Sequence, residues 1–137
     1  MLNKIRQGFA NHHPLKNSQI QKRASVIIPL LEVECEVFVM LTQRSKRLRS
    51  HAGQVSFPGG KQDQQDDNSL ETAIRKTHEE IGLPKEKIEI IGTLDQILSL
   101  HHYLVTPFVA IIPGDFVPIP NEDEIDAVFK VPLSFFM

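Results

Sequence analysis

Two adjacent acids, Glu79 and Glu80, stand near the end of the run Glu-Thr-Ala-Ile-Arg-Lys-Thr-His-Glu-Glu-Ile-Gly-Leu at residues 71–83. The run reads as a helix stopped by glycine, so both carboxylates fall in its last turn. That is the unfavourable end, because a helix C-terminus carries roughly half a negative charge and each acid there costs about 0.3–1 kcal/mol. A cation must offset them. Lys76 lies three and four residues earlier and shares their face. The helix therefore either binds a metal ion or carries its own substitute for one. Upstream lie the glycine pair Gly59 and Gly60 and the loop acids Asp63, Asp66 and Asp67, and the helix also presents Arg75. Carboxylates gathered in this way suit a hard divalent cation, Mg2+ or Mn2+, which keeps waters while bridging substrate phosphates. The competing reading makes Glu79 and Glu80 solvated surface acids paired with Lys76 and Lys85.

The elements that would position these groups follow from hydropathy. Ala24–Leu31 and Glu36–Thr42 are β-rich and apolar around a short polar stretch, and read as a hairpin. Gly53–Gly60 reads as a short strand ending in a sharp Pro-Gly-Gly turn. A polar loop leads to the helix, with Asn68 or Ser69 as N-cap, an inward stripe of Leu70, Ala73, Ile74, Thr77 and Ile81, and a stop at Gly82 and Pro84. Residues 88–94, 104–112 and 127–131 read as further strands, and 95–103 and 113–126 as loops. The apolar tail from Pro132 to Met137 reads either as a short final helix or as the sign of a truncated chain.

At 137 residues and 41% hydrophobic content the chain supports one core. A net charge of −2 argues against a surface given over to nucleic acid. No acid precedes Glu32, while Lys4, Arg6, Lys16, Lys22 and Arg23 all do. Residues 1–22 are thus expected to form a solvated N-terminal arm; they are short of serine and lack the arginine-rich pattern of a transit segment. The lone Cys35 has no internal disulfide partner, and no apolar run approaches the ~20 residues needed to span a bilayer. A soluble, cytoplasmic protein without membrane partners is expected.

Gly60, Asp66, Arg75, Glu79, Glu80, Gly82 and Leu83 resemble the Nudix box. That pattern is Gly, five residues, Glu, seven residues, Arg-Glu, an aliphatic residue, any residue, Glu-Glu, any residue, Gly and an aliphatic residue. The segment from Leu41 to Gly60 is similar to the signature of the coenzyme A pyrophosphatase subfamily, and the likeness extends over about residues 23–135. The resemblance implies an α/β fold, an α/β/α sandwich around a mixed sheet, spanning 23–137. It further implies hydrolysis of the diphosphate linkage of coenzyme A or an acyl-CoA, giving adenosine 3′,5′-bisphosphate and 4′-phosphopantetheine or its acylated form. Glu80 and Glu79 would hold Mg2+ or Mn2+, and Arg75 would orient them. Arg44, Arg47, Arg49 and His51, with Gly59 and Gly60, would bind the substrate phosphates.

Three departures accompany the match. Lys76 stands where the box has Glu, and eight residues rather than seven separate Asp66 from Arg75. Family members also continue past Met137 with a further helix that covers the sheet. The first departure leaves the general base unassigned and motivates a second reading, a catalytically weakened Nudix domain that binds a nucleotide or partner. Glu122, Asp123 and Glu124 read as solvated loop acids, with a replacement base as the alternative. His101 and His102 read as surface residues, because neighbours on an extended chain point opposite ways.

Overall fold

The computed structural model describes residues 1–10 and 22–137. Strands β1 (Arg23–Val33) and β2 (Glu36–Arg44) form the expected hairpin, with Leu30 opposite Val39 and Val33 opposite Glu36. Glu34 and Cys35 both take left-handed φ, 51° and 67°, a turn whose twist matches that of the strands it joins. The remaining elements are β3 (Val55–Ser56), β4 (Gly59–Lys61), α2 (Ser69–Ile81), β5 (Glu89–Thr93), β6 (Ile97–Leu98), β7 (Leu104–Ile111) and β8 (Ile125–Pro132). They follow a first helix, α1 (Leu2–Ala10). β7 runs parallel to β1 from Arg23–Leu104 to Leu30–Ile111, and the other pairings are antiparallel, so the sheet is mixed.

Side-chain parity along β1 sorts the core into two layers. Ile27 and Leu31 pack with Ala73, Ile81, Met40 and Leu83 on the α2 side. Leu30 packs with Val37, Val39 and Val109 beneath Leu2, Ile5 and Phe9 of α1. The three-layer α/β/α expectation is met. The expectation of a solvated arm is not met for residues 2–10, because an apolar face at helical spacing found a partner on the sheet; Arg6 also clasps Glu89 at 2.8 and 2.9 Å. The rest of the arm, residues 11–21, lies outside the described residues. The tail forms a 3-10 turn, Leu133–Phe136, with Leu133 packed on the α1 side. No described helix is long and apolar enough to cross a membrane.

Two local expectations are corrected. Gly53–Gly60 is not one strand ending in a turn: β3 pairs with β2, whereas β4 pairs with Ala24–Val26 of β1. The expected loop 95–103 contains β6, which pairs with the start of β7. The first correction matters for the site. β1 pairs with β2 near one end and with β4 near the other, so β1 and β2 part beyond Leu30 and Val39 and a cleft opens between them. Gly59 allows β4 to lie this close. Its φ is +150°, and a Cβ there would sit 2.6 Å from Val26 Cα and closer still to the Ser25 carbonyl oxygen.

Gly59→Ala should therefore cost about 2–4 kcal/mol, above the usual range for a glycine replacement because rigid backbone must move. A shift of the urea midpoint at unchanged slope checks this; loss of less than about 1 kcal/mol would show that β4 adapts.

Candidate active site

Helix α2 starts and stops as its sequence indicates. The Asn68 side chain accepts the Glu71 N–H at 2.8 Å, and Gly82, at φ 75°, donates to the His78 carbonyl. Between the caps, Thr72, Ala73, Thr77, Glu80 and Ile81 are buried. One acid of the terminal pair thus lies on the apolar face. Glu80 is 7% exposed, and its carboxylate accepts a single hydrogen bond among the described residues, from the Gly59 N–H at 2.9 Å. Burial pushes its carboxyl up to about 7; the Gly59 N–H, Lys76 and Arg44 oppose the rise, and the nearby Glu124 adds to it.

Glu79 faces elsewhere. Its Oε1 accepts from Arg75 at 3.0 Å and its Oε2 lies 3.6 Å from Lys76 Nζ. Arg75 also grips buried Asp66 in bidentate fashion, through Nε at 2.9 Å and Nη2 at 2.8 Å. The guanidinium holds the Asp66 carboxyl well below its usual range, helped by the Asp63 N–H and the Thr72 hydroxyl. The Asp66–Arg75–Glu79 chain ties the 61–68 loop to α2 and commits the Arg75 guanidinium to two carboxylates.

The last turn of the helix is completed from outside. Asn121 N–H donates to the Glu80 carbonyl at 2.9 Å and Ile119 N–H to the Ile81 carbonyl at 2.8 Å. These bonds satisfy carbonyls that a helix end otherwise leaves open. They also draw the acidic loop inward, and Glu124 becomes half-buried while Glu122 and Asp123 stay exposed. Glu124 joins Arg44, His51, Gly59, Gly60, Arg75, Lys76 and Glu80 in lining a cleft of about 1070 Å³. Lys22, Lys61, Tyr103, His101 and His102 line it too.

Of the residues singled out from the sequence, Arg44, His51, Gly59, Gly60, Arg75 and Glu80 meet in this cleft, and Glu79, Arg47 and Arg49 are not among those lining it. Arg47 instead donates to the Glu122 carbonyl at 2.7 Å, bracing the acidic loop. Glu124 was legible only as one loop acid among three. Both histidines reach the cleft because His102 is not extended: its φ is 66° and its N–H turns back onto the Ser99 carbonyl. The His101 ring meets His51 edge-on at 4.7 Å between centroids. Tyr103, the chain's single tyrosine, lies beneath the ammonium groups of Lys61 and Lys22. No motif pointed to it.

The model of the NUDIX domain family matches residues 21–134. This chain belongs to the Nudix family. Among curated proteins, the Nudix hydrolases NudL of Shigella flexneri and Escherichia coli are both 43% identical, over 90% and 82% of this chain. The chain spans about three-fifths of the length of these relatives, 62% and 58% respectively. Among solved structures, a Caenorhabditis elegans Ap4A hydrolase in a binary complex superposes with a TM-score of 0.70 at 19% identity, covering 85% of this chain and 83% of that one. The Nudix domain of Shewanella oneidensis NrtR, solved with ADP ribose, gives 0.62 at 19% identity over 95% of this chain and 84% of that one. At that identity the likeness speaks for the fold alone.

Nudix hydrolases generally use divalent metal cations, and the cleft's donor set fits one. Glu80 and Glu124 offer hard oxygen ligands whose mutual repulsion a cation would relieve, and magnesium commonly binds through one or two carboxylates plus substrate phosphates. Among the described residues no cluster of three or more His, Cys, Asp or Glu side chains is placed to hold a metal.

The raised Glu80 carboxyl makes a pH prediction for the protein in chelator. The folded state keeps this proton while the unfolded chain loses it, so stability is full below about pH 4.5 and falls as pH rises to about 7. The loss can reach about 3 kcal/mol. Glu80→Gln should remove that slope and melt above the wild type at pH 8. Parallel pH profiles of the two proteins in thermal melts would refute the assignment.

Proposed function

We propose that this Nudix domain catalyses metal-dependent hydrolysis of the diphosphate linkage of coenzyme A or an acyl-CoA, giving adenosine 3′,5′-bisphosphate and 4′-phosphopantetheine or its acyl form. The observation that carries the reading is the meeting, in one large cleft, of the buried Glu80 carboxylate and Glu124 with the cations Arg44 and Lys76. Carboxylates alone would repel a diphosphate. Cations alone would bind it without activating water. Their juxtaposition suits a reaction in which a charged diphosphate must be held beside a nucleophile.

Glu80 and Glu124 would hold the divalent ion, which when bound neutralises phosphate charge and makes water a better nucleophile. Glu79 is engaged by Arg75 and Lys76 and would support this pair rather than line it. Water adds to one phosphorus as its bond to the bridging oxygen breaks, leaving two phosphomonoesters. The proton released passes to solvent water, since both carboxylates would be engaged by the ion. Arg44 also lines the cleft, with its Nε committed to the Ser50 carbonyl at 2.7 Å, which leaves its terminal nitrogens for a phosphate. Phosphate oxygens match that planar group. The subfamily-like segment from Leu41 to Gly60 supplies Arg44, His51, Gln54 and both glycines to the cleft, and this supports coenzyme A over smaller diphosphates.

Purified protein incubated with coenzyme A and Mg2+ or Mn2+ should release adenosine 3′,5′-bisphosphate, resolved by anion-exchange chromatography. Glu80→Gln should lower kcat/KM by about a hundredfold or more, and Arg44→Ala should chiefly raise KM, by about tenfold. No product above a buffer control would sink the reading and favour the alternative of a weakened domain that binds without turnover.

A further inference from the structure

Resting on the diphosphate reading above, we propose that Lys76 takes the place of one divalent cation. The cleft then binds a single ion at Glu80 and Glu124, and the Lys76 ammonium supplies a second centre of positive charge to the diphosphate.

The placement of Lys76 is set by Gly60. A Cβ at that position would lie 2.7 Å from Lys76 Cε and 3.5 Å from Cδ and Cγ, so the lysine stem is laid across a bare glycine. Lys76 lines the cleft with its side chain 22% exposed. Its ammonium is held loosely. The 3.6 Å to Glu79 exceeds the 2.7–2.9 Å of a charge-assisted hydrogen bond, which leaves donors for a phosphate oxygen. Arg75, one residue earlier, is differently placed, with Nε, Nη1 and Nη2 all engaged by Asp66 and Glu79. Lys76 is thus the α2 cation with capacity to spare.

Charge limits the metal count. One divalent ion balances the Glu80 and Glu124 carboxylates. A second would have to enter beside an ammonium, with Glu79 already shared between Arg75 and Lys76. Among the described residues there is no third acid grouped with that pair to hold it. The lysine and the glutamate it could be exchanged for differ by two charge units at one place on the helix, four residues from Glu80. Ion number should respond to that exchange.

Mn2+ binding to the substrate-free protein, followed by calorimetry and by the electron paramagnetic resonance of free Mn2+, is the test. Wild type and Lys76→Gln should each bind one ion per chain, and Lys76→Glu should bind two. A second measurement uses methylenebisphosphonate, a diphosphate analogue that is not hydrolysed, with one equivalent of Mn2+. Lys76→Gln should weaken its binding about tenfold and Lys76→Arg should restore most of it. Any wild-type stoichiometry other than one, a single ion in Lys76→Glu, or unchanged bisphosphonate affinity in Lys76→Gln would overturn the proposal. Coenzyme A cleavage by a two-ion wild type would refute this inference and leave the hydrolase reading intact. One bound ion without coenzyme A cleavage would do the reverse.

Discussion

Glu80 joins three parts of the molecule through two of its own groups. Its side chain accepts the Gly59 N–H of β4, and its main-chain carbonyl accepts the Asn121 N–H of the acidic loop. The first bond spans the helix–sheet junction, and the second closes a helix end that would otherwise expose carbonyls. Burying a carboxylate at 7% exposure is costly, which is why its proton is held up to about 7. A structure that bears this cost has its strained group already placed in a cleft.

The sheet makes room for that group. β1 is a single long strand serving β2 at one end and β4 at the other, with β7 parallel along its far edge. This division opens the cleft without exposing the core, because Ile27, Leu31 and Met40 remain covered by α2. Ser25, buried at the split, satisfies its hydroxyl on the Ser69 carbonyl at 2.7 Å, so the start of α2 is fastened to the strand that creates the opening. The helix is held at both ends by polar bonds and along its length by apolar contacts. Its backbone is thereby fixed relative to the cleft, while the Lys76 ammonium stays loosely held.

The Asp66–Arg75–Glu79 chain distributes roles that the bare motif leaves undivided. Glu79 and Glu80 are neighbours in sequence but lie about 100° apart around a helix, so one enters the core and the other meets cations at the surface. Arg75 is committed to both Asp66 and Glu79. Arg75 and Lys76 both line the cleft, but Lys76, laid across the glycine, is the one whose charge is not locked by two carboxylates. The offset of charge inferred for the helix end is therefore real, and it is divided between a structural arginine and a lysine facing the cleft.

What the residues determine by themselves is local. The hairpin, the caps at Asn68 and Gly82, the apolar stripe of α2 and the pairing of acids with nearby cations all depend on spacing within a few residues, and each was legible. The identity of the second cleft carboxylate was not. Glu124 is brought in by Asn121 and Ile119, which bond to carbonyls some forty residues earlier in the chain, and nothing in their types announces it. The same holds for Arg47 and Arg49, whose charge suggested phosphate binding until the loop's path turned one of them onto the Glu122 carbonyl. His102 escaped the extended-chain rule through a left-handed φ. Helix α1 found its place on the sheet because an amphipathic face is stable only where a complementary surface exists, and that surface is assembled from β1, β2 and β7 together. Sequence determined which chemistry the chain carries; the long-range pairing of β1 and the docking of the acidic loop decided which of those groups face one another.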